Sequence, residues 1–97
     1  MKLQVALDYF RVEDALALMR KIHEYVDIAE IGTPLGLSDG FEAISVIKAA
    51  YPNVEVLADI KLMDGGKPIS AHAFDAGADI VTILGVTNDS TIRGAVE

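Results

Sequence analysis

Short apolar runs and longer helical stretches alternate along this chain from end to end. Leu3 to Leu7 is a nearly continuous apolar run closed by Asp8, which predicts a strand. Val12 to Tyr25 follows, with Ala15, Leu18, Ile22 and Val26 three to four residues apart, the apolar stripe of a helix. Asp27 to Ile31 reads as a second strand, broken by Gly32-Thr33-Pro34. Asp39 with Glu42 predicts a capping box. The helix it opens carries Phe41, Ile44, Ile47 and Lys48, and ends at Tyr51 before Pro52-Asn53. Val54 to Ala58 is a third strand. Gly65-Gly66 marks a turn, and Pro68 suits the first turn of a helix that runs to about Asp75. Gly77 stands at its C-cap position. Asp79 to Leu84 is a fourth strand, and Asn88 or Asp89 caps a last helix from Ser90 to Glu97.

The strands recur at the spacing of one βα unit, and their continuous apolar character predicts parallel strands covered on both faces. An open doubly wound sheet and a (β/α)8 barrel are both built this way. A complete barrel takes about 200–250 residues. Residues 1–97 therefore read as one domain-sized piece, either a small open sheet or the first four strands of a TIM (β/α)8 barrel, half of one. The last helix reaches Ala95-Val96-Glu97 without a cap or breaker, which agrees with a chain that stops mid-barrel. Four strands alone leave two parallel edges open, an aggregation hazard.

Composition sharpens this picture. Hydrophobic residues make up 52% of the chain, yet a domain this small hides only somewhat more than ~60% of its unfolded surface. The excess is expected on the strands and on helix faces that further units would cover. Fifteen acidic against eight basic residues, net −7, argue against a nucleic-acid or anionic-membrane surface, both of which need clustered Lys and Arg. The absence of Cys excludes disulfides, thiolate metal sites and thiol catalysis, and fits the cytoplasm. No apolar run is long enough to span a bilayer, and Met1-Lys2-Leu3-Gln4 turns polar too early for a signal peptide.

Sites in both architectures lie at the C-terminal ends of the strands. There the chain places Asp8, Glu30, Asp59, Lys61 and Asp64. Asp59 and Lys61, two apart, can share one strand face. Glu30 and Asp59 are hard oxygen donors from adjacent strands, a pair that suits Mg2+. Lys61 beside acids can stabilise an oxyanion or deliver a proton. Asp64 could hold Lys61 or act as an acid or base. Each has a plainer reading: Asp8 as a helix cap, and Asp59-x-Lys61-x-x-Asp64 as a structural ion-pair cluster. Glu30 is harder to set aside, because a carboxylate flanked by Ala29 and Ile31 is costly unless paired or metal-bound. His23 is expected on an exposed helix face, and His72 is expected to pack.

Leu3-Gln4-Val5-Ala6-Leu7-Asp8, Glu30-Ile31-Gly32-Thr33-Pro34 and Ala58-Asp59-Ile60-Lys61-Leu62-Met63-Asp64 together resemble the orotidine-monophosphate decarboxylase suprafamily of (β/α)8 barrels, whose central motif is Asp-x-Lys-x-x-Asp. The resemblance continues through Asp75-Ala76-Gly77-Ala78-Asp79 and Leu84-Gly85-Val86-Thr87. It implies Mg2+-dependent aldol chemistry, joining formaldehyde to the sugar phosphate D-ribulose 5-phosphate through an enediolate. It also implies roles for residues. Glu30 and Asp59 would help bind Mg2+, Lys61 would neutralise the enediolate oxygen, and Asp8 would contact substrate hydroxyls. Asp64 would act across a homodimer interface. The phosphate is held by loops of the barrel's second half. A sister branch that decarboxylates 3-keto-L-gulonate 6-phosphate shares the same acids and lysine. A self-associating half-barrel without turnover is the alternative outside enzymology.

Overall fold

The computed structural model describes residues 1–97 as four parallel strands in the order β1-β2-β3-β4, each followed by helix, the first half of a (β/α)8 barrel. The elements are β1 (Gln4–Leu7), α1 (Val12–Ile22) with a 3-10 turn (His23–Tyr25), β2 (Ile28–Ile31), α2 (Thr33–Asp39), α3 (Glu42–Ala50), β3 (Glu55–Leu62), α4 (Gly66–Ala76), β4 (Ile80–Ile83) and α5 (Asp89–Val96).

Strand alternation sorts the side chains. In register, Leu7, Ile31, Ala58 and Val81 stand side by side, as do Val5, Ala29 and Val56. This face packs against Ala15 and Met19 of α1, Leu35 of α2, Ile44 and Ile47 of α3, and Ala73 of α4 in one core. Leu7, Met19, Leu35, Ile44, Ile47 and Val56 are fully buried, each removing apolar surface worth about 1.5–3 kcal/mol from water. In α1 the dipole is complemented at both ends, with Glu13 and Asp14 in the first turn and Arg20 and Lys21 in the last.

The opposite face carries Gln4, Ala6, Ile28, Glu30, Leu57, Ile80 and Thr82. No helix covers it, so the expectation of strands covered on both faces holds for one face only. Its apolar residues Ile28, Leu57 and Ile80 are half-buried rather than exposed. The exposed large apolar side chains sit mainly on helices and loops, at Phe10, Leu37, Met63, Phe74 and Val86.

Matching clamps hold the N-terminal ends of the strands. The Asp27 N–H donates to the Leu3 carbonyl (2.9 Å), and the Asp27 carboxylate accepts the Leu3 N–H (2.8 Å). Asp79 does the same to Val56, at 2.8 Å in both directions. Lys48 adds an ion pair to Asp79 (2.9 Å) and donates to the Val54 carbonyl (3.1 Å). Partial burial pushes the Asp79 carboxyl up, but the Val56 N–H and Lys48 outweigh it and leave it below its ordinary value.

Several local expectations need correction. Thr33-Pro34 does not merely stop a strand; it opens α2, with Pro34 in the first turn, where its missing N–H costs nothing. The Asp39–Glu42 capping box does not form: the N-cap of α3 is Phe41, without a side-chain bond. The Asp39 carboxylate instead accepts the Val12 N–H at 2.7 Å, serving the first turn of α1. His23 is half-buried, tilted against Tyr51 with ring centroids 4.9 Å apart. His72, by contrast, packs as expected, stacked on Phe41.

Candidate functional site

β3 runs to Leu62, four residues beyond the expected Ala58, and carries Asp59 and Lys61 inside it. Its pairing with β4 slips there. Ala58 pairs with Val81 and Leu62 with Ile83, so Asp59, Ile60 and Lys61 lie opposite Thr82 alone. Within this bulge Lys61 adopts a left-handed backbone (φ 48°), a conformation that costs a non-glycine residue on the order of 1–3 kcal/mol and persists only when its surroundings hold it.

The hold is a polar cluster. Lys61 Nζ lies 2.5 Å from Asp59 Oδ2 and also donates to the Thr33 hydroxyl. Thr33 Oγ1 in turn lies 2.9 Å from the Asp59 carbonyl and 3.2 Å from Asp59 Oδ2, either of which can take its proton. Thr82 Oγ1 donates to Asp59 Oδ1 (2.8 Å) and accepts the Lys61 N–H (3.0 Å). Partial burial pushes the Asp59 carboxyl up. The hydrogen bonds from Lys61 and Thr82, the Lys61 charge and the Thr33 hydroxyl outweigh it, leaving Asp59 below its ordinary value. The carboxylate is thus held ionised beside a cation.

Glu30 lies on the same uncovered face of the sheet, one strand away. Gln4 Nε2 donates to its Oε1 at 2.8 Å, which meets part of the burial cost. Asp8 follows β1, exposed, with its carboxylate against Gly32. A Cβ on Gly32 would fall 2.0 Å from Asp8 Oδ1 and 2.9 Å from the Leu7 carbonyl, so only glycine admits this approach. Asp64 is exposed in the loop after β3. It does not hold Lys61, whose ion-pair partner is Asp59. Asp64 borders a cleft of about 310 Å3 between α2, α3 and the end of β3, walled by Leu37, Phe41, Ile60 and Met63.

Asp59, Lys61, Thr33 and Thr82 therefore form one contact cluster, with Glu30 one strand away on the same face and Asp8 and Asp64 exposed after their strands. No three acidic or histidine side chains close into a metal cage. The donor chemistry fits Mg2+, which is commonly held by one or two carboxylates with water and substrate oxygens completing the shell. Thr33 and Thr82 were not singled out as site residues in the sequence. The available signal for Thr82 was a lone hydroxyl inside the apolar run Asp79–Leu84. For Thr33 the signals are its place directly after a strand end and its membership of the motif Glu30-Ile31-Gly32-Thr33-Pro34.

The family model described as the orotidine 5'-phosphate decarboxylase / HUMPS family matches residues 1–97. The chain is 53% identical over all 97 residues to 3-hexulose-6-phosphate synthase of Mycobacterium gastri, of which it covers 47%. It superposes on a crystal structure of 3-hexulose-6-phosphate synthase with a TM-score of 0.97 and 53% identity, covering 99% of this chain and 46% of that one. On 3-keto-L-gulonate-6-phosphate decarboxylase from Vibrio cholerae the TM-score is 0.95 at 36% identity, covering 97% of this chain and 44% of that one. The chain thus spans about half the length of the relatives it matches.

Proposed function

This chain belongs to the orotidine 5'-phosphate decarboxylase / HUMPS family, and from that premise we propose that it carries the metal- and oxyanion-handling half of a 3-hexulose-6-phosphate synthase. The reaction joins formaldehyde to D-ribulose 5-phosphate, giving D-arabino-3-hexulose 6-phosphate. The observation that carries this reading is the Lys61–Asp59 contact at 2.5 Å, keyed by Thr33 and Thr82 at the C-terminal ends of adjacent strands. Higher identity to the synthases than to the decarboxylase, 53% against 36%, favours aldol synthesis over decarboxylation.

Glu30 and Asp59 would hold Mg2+, whose charge favours the enediolate form of the sugar when bound. Loss of a C1 proton from ribulose 5-phosphate leaves an enediolate. Its C1=C2 electron pair bonds C1 to the formaldehyde carbon as the C2 carbonyl re-forms, the formaldehyde π pair moves to its oxygen, and that oxygen takes up a proton, balancing the one lost from C1. Lys61, positioned by its contact with Asp59, is suited to neutralise the enediolate oxygen. Asp8, on the rim, is placed to accept hydrogen bonds from sugar hydroxyls. Asp64 acts in the site of a second copy. Its exposed position beside exposed Leu37 and Met63, at the mouth of an apolar cleft, supports that assignment. The phosphate is bound by loops of the barrel's second half.

The test is an assay for hexulose phosphate from formaldehyde and ribulose 5-phosphate with Mg2+, using the chain mixed with the separately expressed C-terminal half of the M. gastri synthase. Mg2+-dependent product that disappears in Glu30→Gln and Asp59→Asn is expected. Full activity in both variants would remove them as ligands. Faster CO2 release from 3-keto-L-gulonate 6-phosphate than aldol synthesis would replace the synthase by the decarboxylase.

A further inference from the structure

We propose that Thr82 is a positioning residue, whose hydroxyl replaces the sheet ladder in holding Lys61 and Asp59 in their working arrangement. Its purpose rests on the functional reading above; its geometry does not. Across the bulge, one residue of β4 must answer three residues of β3. A bulge leaves ladder groups without their usual partners. Thr82 Oγ1 meets this with a single oxygen. It accepts the Lys61 N–H at 3.0 Å and donates its own proton to Asp59 Oδ1 at 2.8 Å.

The two bonds fix different things. The first holds the left-handed backbone from which the Lys61 side chain turns back toward Asp59. The second sets the rotation of the Asp59 carboxylate, with Oδ1 on Thr82 and Oδ2 on Lys61. A threonine placed only as a good strand former would need neither bond, and valine would serve equally well. Valine keeps the shape and removes both bonds, whereas serine keeps the hydroxyl.

The experiment measures amide hydrogen exchange and the Cα and Cβ chemical shifts of Lys61 by NMR in the 97-residue chain, in wild type, Thr82→Val and Thr82→Ser. Losing one ordinary hydrogen bond in Thr82→Val is expected to speed Lys61 exchange roughly tenfold and to move its shifts away from left-handed values. The core amides of Ile47 and Val56 should be unchanged. Thr82→Ser should stay within roughly threefold of wild type, because the hydroxyl is what matters. Should Thr82→Val loosen every amide, Thr82→Ala is compared with Thr82→Ser by the same criterion. Unchanged Lys61 exchange without the hydroxyl, or serine as fast as valine or alanine, overturns the proposal. The readout is backbone geometry, so a chain without aldol activity would still decide it.

Discussion

Lys61 turns back along its own strand to meet Asp59, with Nζ 2.5 Å from Oδ2, from a backbone twisted into the left-handed region. On a regular strand two residues of this spacing project side by side. Here a bulge brings them into contact and turns a shared face into an ion pair.

The first prediction concerns that lysine. In the reconstituted enzyme, Lys61→Ala is expected to lower kcat/KM about 10²–10³-fold, as loss of an oxyanion partner does. Steady-state kinetics with ribulose 5-phosphate and formaldehyde measure it. A loss of tenfold or less would take the oxyanion role from Lys61.

Asp79 and Lys48 should differ sharply in their effect on stability. Asp79→Ala leaves the part-buried Val56 N–H without its acceptor, at a cost of about 1–3 kcal/mol. Lys48→Met removes the same partly exposed ion pair, worth about 1 kcal/mol or less, and one hydrogen bond to the Val54 carbonyl, while leaving the Val56 N–H its acceptor, so its loss should be the smaller. Urea unfolding of the two variants would show the ranking, and equal losses would contradict it.

Acid should weaken the fold through the same carboxylates. Asp59 and Asp79 both titrate below the ordinary value of 3.8 in the folded chain. Their contribution is therefore complete above that value and lost as pH falls through the lowered folded values. The urea midpoint should drop on acidification below 3.8, and Asp79→Asn should flatten that drop. A midpoint indifferent to acid would count against both pairings.

Two glycines should respond in opposite directions to alanine. A Cβ on Gly66 would fall 2.0 Å from the Thr91 carbonyl oxygen, where α4 meets α5, so Gly66→Ala should destabilise by about 1–3 kcal/mol or more. Gly36, within α2, faces open space, and Gly36→Ala should stabilise by about 0.5–1 kcal/mol. Thermal melts of both variants separate the signs.

The strands and the acidic residues at their ends are legible because each leaves a local mark: an apolar run, a breaker, a carboxylate at a run's end; the order of the strands leaves none and follows only from the barrel reading. What was hidden depends on distance along the chain. Asp39 looked like the cap of the helix it precedes, yet its carboxylate serves Val12, 27 residues away. α2 was invisible because seven residues containing Pro34, Gly36 and Ser38 show no apolar stripe, and tertiary packing of Leu35 overrides their weak propensity. For Asp59 and Lys61 the sequence predicts a shared face of a straight strand, and the structure adds the direct contact. The bulge that creates it lies in the pairing with β4, 21 to 23 residues along the chain, where Thr82 reads locally as one more strand former.

The Asp27–Leu3 and Asp79–Val56 clamps divide labour between the two ends of the sheet. Each ties one strand's foot to its neighbour with backbone and carboxylate together, so the order of the strands is secured far from the lip where Asp8, Glu30 and Asp59 stand. The lip is then free to carry mutually repelling acids, a twisted lysine and short polar side chains, none of which would make a good foundation. In this chain, then, the footing and the chemistry-bearing residues sit at opposite ends of the same sheet.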